Sequence, residues 1–140
     1  MPVAELWDPC TIPSDALVGA GVDPEVIESR PITEGVYEWK TCTYKKDWFY
    51  LTVYSTTRSL DELRAGSRVS RLSEVPVGSR TGIMYTDSTQ PLGTNCYSSI
   101  ASKSGAVEFE VQKSANNELQ GDTCSLSVSF ATSLEKFVPE

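Results

Sequence analysis

The stretch WFYLTVYS, residues 48–55, alternates in a way only a strand exploits. Phe49, Leu51 and Val53 fall on one side, and Trp48, Tyr50, Thr52 and Tyr54 on the other. Its density of aromatic and β-branched residues strengthens the reading. VYEWKTCTY precedes it, with Tyr37, Trp39, Thr41 and Thr43 on one side and Cys42 on the other, and the intervening KKD predicts a hairpin turn. Two further hairpins are expected. SRLSEVPV and RTGIMYTD flank Gly78-Ser79, and NCYSSIAS and GAVEFEVQ flank Lys103-Ser104. In the last of these segments Val107, Phe109 and Val111 alternate with Glu108, Glu110 and Gln112, the pattern of a sheet with one face in water.

Helical patterns are fewer. A short helix is predicted over about residues 13–20, with Pro13 in its first turn, Thr11 or Ser14 as cap and Gly21 to stop it. VDPEVIESRPITEGVY, with two prolines and little periodicity, reads as a loop with at most one helical turn. SLDELRAG carries a capping box, Ser59 with Glu62, inward-facing Leu60 and Leu63, and a terminating Gly66. DTCSLSVSFATSLEKFVP fits alternation in its first half and helical spacing throughout; its length favours a helix over roughly 122–136, ended by Pro139. With no internal repeat or linker, residues 1–140 read as one α+β domain. An antiparallel sheet of five or six strands with two or three helices packed on one face is expected.

Charge then narrows the partners. A net charge of −7 with no histidine leaves no basic footprint for nucleic acid, and charge alone would not hold the chain on an anionic membrane. No run approaches the roughly 20 apolar residues that span a bilayer, and no signal-peptide pattern opens the chain. That leaves a cytosolic protein or a mature exported domain. The cysteines favour export: Cys10, Cys42, Cys96 and Cys124 are an even set, widely spaced, without the close pairs of a zinc or redox site. Of three possible pairings, Cys10–Cys42 with Cys96–Cys124 is preferred because it ties each chain end to a central strand. A bridge closing about 30 residues contributes on the order of 3 kcal/mol.

These residues together resemble a known family. WDPC-x-I-P-x-x-x-L-x-G-x-G-x-D-P, then W-K-T-C-x-Y, W-F-Y-L-T-V-Y-S-T, an N-C strand and a D-x-C helix are similar to actinobacterial cell-envelope lipoproteins classed as a domain of unknown function. The resemblance runs from Trp7 to Pro139, with Asp8-Pro9-Cys10 its most specific part and all four cysteines in place. Tyr44 stands where the family commonly has Trp. The resemblance implies an N-terminal lipid anchor, not visible in this sequence, and a sheet-plus-helix fold of the PsbP-like kind, some of whose members associate with envelope glycolipids. Such an analogy of fold does not fix function.

Most catalytic chemistry lacks its parts. Without histidine there is no usual base for a serine or cysteine nucleophile, and no G-x-S-x-G occurs. DPEVIE lacks the spacing of a calcium loop, and phosphate-loop motifs are absent. A carboxylate pair for glycoside cleavage is not singled out among the acids. No catalytic residue, metal site or cofactor is therefore expected. Trp39, Trp48, Tyr50 and Tyr54 are the candidate ligand or partner surface, set against the plainer reading that helices cover that face. The expected function is a monomeric, non-catalytic envelope domain that binds or hands on a lipid or glycolipid. The alternative is a module docking on a membrane- or wall-associated protein, and a carboxylate-pair hydrolase is the third reading.

Overall fold

A computed structural model describes residues 6–140 of the chain. Seven antiparallel strands form one sheet: β1 (Glu28–Glu34), β2 (Tyr37–Lys46), β3 (Phe49–Thr56), β4 (Val69–Val77), β5 (Arg80–Asp87), β6 (Asn95–Ser102) and β7 (Gly105–Lys113). Their spatial order is β1-β2-β3-β7-β6-β5-β4. The strand count exceeds the five or six expected because 28–34 is a strand and not a loop. β1 is an edge strand, with Glu28, Arg30 and Pro31 all exposed. Charge and proline protect an edge against further pairing, and they also erase the alternation by which a strand is recognised.

Three helices accompany the sheet: α1 (Ser14–Ala20), α2 (Leu60–Arg64) and α3 (Thr123–Leu134). The ambiguous C-terminal segment is helical. Asp122 caps α3 by accepting hydrogen bonds from the backbone N–H groups of Cys124 and Ser125 at 2.9 and 3.2 Å. Gly21 closes α1 in the left-handed conformation, φ 115°. Pro13 holds the cap position of α1, and neither Thr11 nor Ser14 caps it. The capping box of α2 forms as read, Ser59 and Glu62 each bonding the other's backbone N–H.

α3 lies across β6 and β7, and α1 packs on α3. Between them and the sheet sits the main core: Leu17, Leu51, Val53, Val107, Phe109, Val111, Phe130 and Leu134 are all essentially inaccessible. Ser127 satisfies its hydroxyl inside this layer by donating to the Phe109 carbonyl and accepting from the Ser98 hydroxyl, both at 2.8 Å. The helices do not all share one face. Leu63 of α2 packs with Ile83, Tyr85 and Ala106, a second cluster on the other side of the sheet.

Both disulfides join the expected partners. Cys10–Cys42 fastens the N-terminal 3₁₀ turn, Pro9–Thr11, to β2, and Cys96–Cys124 fastens β6 to the first turn of α3, with Cα separations of 5.4 and 4.9 Å. Tyr44 is buried beside the first bridge and donates its hydroxyl to the Pro9 carbonyl at 3.1 Å.

Candidate functional site

The sheet face turned away from α1 and α3 is where the chemistry gathers. Register decides which side chains meet there. Tyr54 pairs with Glu108 across β3 and β7, Tyr97 with Glu110 across β7 and β6, and Tyr85 with Tyr97 across β6 and β5. Alternation in β7 therefore puts Val107, Phe109 and Val111 into the main core and aims both glutamates at this face. It is not the wet face the alternation predicts: Glu108 and Glu110 are only 7% and 5% exposed. The aromatic side chains of the neighbouring strands close over them.

Each carboxylate is held by its own donors. Glu108 accepts from the Trp39 indole N–H at 3.0 Å on Oε2 and from the Tyr85 hydroxyl at 3.0 Å on Oε1; that hydroxyl also lies 3.0 Å from Ser99 Oγ. Glu110 accepts from the Tyr54 hydroxyl at 2.6 Å and from Asn95 Nδ2 at 3.4 Å. Burial pushes the Glu108 carboxyl up to about 7, against the pull of the Trp39 and Tyr85 hydrogen bonds. Burial likewise raises Glu110, opposed by its bonds from Tyr54 and Asn95. The Tyr54, Tyr85 and Tyr97 phenols are all pushed upward by burial and by the adjacent carboxylates, so they stay protonated donors at neutral pH.

The tyrosines also stack. Tyr85 and Tyr97 lie face to face at 5.1 Å between centroids with an interplanar angle of 9°, and Tyr54 approaches Tyr97 at 6.3 Å. Around this aromatic floor two open recesses adjoin, of about 400 and 390 Å³. Glu108, Trp39, Tyr85, Tyr97 and Arg58 line the first; Glu110, Tyr50, Thr43 and Gln112 line the second. Tyr54 and Ile32 border both, so the two form one trough with a waist.

Of the four candidate surface residues, the structure brings Trp39, Tyr50 and Tyr54 together on this trough. Trp48 is not with them. The strand begins at Phe49, and Asp47, at φ 48°, turns the backbone so that Trp48 swings to the opposite side. There it is buried in the main core, edge-on to Phe49 at 5.3 Å. Sequence reasoning missed Glu108, Glu110, Tyr85, Tyr97 and Arg58. Their parity was readable, but which strands lie side by side was not.

The two carboxylates share one strand at i and i+2, about 7 Å apart along it. They open to different recesses, with Tyr54 as the border, and every carboxylate oxygen already accepts a hydrogen bond from a side chain. Among the described residues no cluster of three or more His, Cys, Asp or Glu is arranged to hold a metal ion.

A family model described as "Protein of unknown function (DUF3558)" matches residues 2–136. The chain belongs to the DUF3558 family. No curated protein and no solved structure matches this DUF3558 member. Its two disulfides point to an oxidising, extracytoplasmic environment. No helix among the described residues is long and apolar enough to cross a membrane.

Proposed function

We propose that this DUF3558 domain is a non-catalytic binding module of the cell envelope that takes the polar, hydroxyl-rich headgroup of a glycolipid or glycan into the trough. One observation carries the reading: the open trough is lined by aromatic side chains, Trp39, Tyr54 and Tyr97, of which Trp39 and Tyr54 are fixed by hydrogen bonds to the buried carboxylates, with Arg58, Thr43 and Gln112 as polar partners. Sugars present apolar C–H faces and directional hydroxyls, and such a surface matches both. The space between the sheet and α1 and α3 is filled by side chains, so the trough suits a headgroup better than a buried acyl chain. An N-terminal lipid anchor, as in the actinobacterial lipoproteins the sequence resembles, would keep the trough near its ligand at the outer face of the membrane.

A second reading, docking on an envelope protein, draws on Ile27 and Val26, which are exposed ahead of β1, with Ile27 at the border of the second recess.

Native mass spectrometry after incubation with an actinobacterial envelope lipid extract separates the two. The binding reading expects a retained adduct of defined mass that is lost in Trp39→Ala. A clean apo mass with the fold intact would refute it and move the weight to a protein partner.

A further inference from the structure

Resting on that reading, we infer that the ligand carries an anionic oxygen group, a phosphate or a sugar carboxylate, and that Arg58 and Arg68 hold it at the α2 end of the trough. Both arginines line the first recess. Neither forms an ion pair among the described residues, whereas Arg30, Arg64 and Arg80 each reach a carboxylate.

Arg58 is fixed in place. Its guanidinium lies over the Tyr37 ring at 4.8 Å and donates through Nη2 to the Glu62 carbonyl at 3.1 Å. Its Nε, like those of Arg64 and Arg80, is buried and has no hydrogen-bond partner among the described residues, but Arg58 alone of the three has no carboxylate paired with its guanidinium. A buried, unsatisfied N–H is costly, and a ligand oxygen is the kind of acceptor that would relieve it. Arg68 is exposed at the rim of the same recess and supplies a second charge. A planar, always-charged fork beside a free rim arginine is suited to phosphate or carboxylate oxygens.

The acids of the recess do not already occupy this role. Both oxygens of Glu108 are engaged by Trp39 and Tyr85. Asp87 turns one oxygen to its own loop, accepting from the Thr89 backbone N–H at 2.8 Å and the Thr89 hydroxyl at 2.6 Å. Glu34 is exposed.

The test is a titration of the intact protein, followed by tryptophan fluorescence at low salt, with methyl glucoside, glucuronate, glucose 1-phosphate and inorganic phosphate. The inference expects at least one of the two anionic sugars to bind on the order of tenfold tighter than methyl glucoside. Whichever anionic sugar binds tighter names the source of the anionic group. That preference should fall severalfold in Arg58→Gln and in Arg68→Gln. Arg68→Gln removes no side-chain hydrogen bond among the described residues, so it remains informative if Arg58→Gln fails to fold. Equal binding of neutral and anionic sugars, or an anionic preference unchanged in Arg68→Gln and in a folded Arg58→Gln, overturns the inference while leaving the headgroup reading intact. Inorganic phosphate binding alone, with no sugar bound, overturns the headgroup reading, and binding of no probe overturns both.

Discussion

Glu108 offers the sharpest test of the buried network, because its burial gives stability a pH dependence of predictable sign. Burial raises the carboxyl from its ordinary value of 4.5 in the unfolded chain to about 7 in the folded protein. Between those values the folded protein binds more protons than the unfolded chain, so stability must fall as pH rises. The contribution is fully present below about 4.5 and lost as pH passes about 7. A difference of about 2.5 pK units corresponds to about 3 kcal/mol between the two limits. Glu110, also raised by burial, adds a slope of the same sign. Glu62 is lowered, which places its effect below the window considered. The absence of histidine leaves no other side chain whose ordinary range lies between pH 5 and 8. The assay is urea unfolding followed by tryptophan fluorescence, with disulfides intact, at pH 5 and pH 8. With an m-value of about 2 kcal/mol/M, the midpoint should be higher at pH 5 by about 1 to 1.5 M. Glu108→Gln should remove most of that slope and should be more stable than the parent at pH 8. Its amide oxygen can still accept from Trp39, and its NH₂ can donate to Tyr85, whose hydroxyl then donates to Ser99. A parent midpoint equal or higher at pH 8, or a slope undiminished in Glu108→Gln, would refute the assignment of Glu108 as a carboxyl whose desolvation outweighs its hydrogen bonds.

Three further outcomes are expected. Trp48→Ala, in the core, should cost about 3–5 kcal/mol, while Trp39→Ala, half-buried on the trough, should cost about 1–2; comparable losses of melting temperature would contradict the sidedness described. Replacing Cys10 and Cys42 together by Ala opens a loop of sequence separation 32 and should lower stability by about 3–4 kcal/mol, read as a urea midpoint against the parent. Gly78→Ala puts a Cβ 2.3 Å from Glu135 Oε1 at a backbone φ of 59°; displacing Glu135 disturbs its partly buried pair with Arg80 at 3.1 Å, and a loss of about 1–3 kcal/mol in thermal unfolding is expected.

The local signals were read well because local physics sets them. Capping at Ser59, the left-handed stop at Gly21 and the turns at Gly78-Ser79 and Lys103-Ser104 depend on a few adjacent residues. The same holds for the inward set Phe49, Leu51 and Val53, because a strand's period is fixed at two. The cysteine pairing was also legible, since two bridges of wide spacing and a preference for tying down chain ends left few choices. β1 was not legible, because an exposed edge strand is selected for polarity and proline. Trp48 was misplaced by one residue of turn geometry: a left-handed Asp47 breaks the alternation although the aromatic pattern runs on through Trp48.

The trough itself belongs to the tertiary structure. The sequence alone determined that Glu108 and Glu110 share one face of a strand, and that Trp39, Tyr54 and Tyr97 sit in strands. Whether that face is wet or closed depends on the strand order, which places β7 between β3 and β6 and so surrounds its glutamates with tyrosines from both sides. Alternation records which side a residue points to, but only long-range pairing supplies the neighbours that desolvate it. Burial, and with it every raised carboxyl and phenol on this face, is a property of those neighbours.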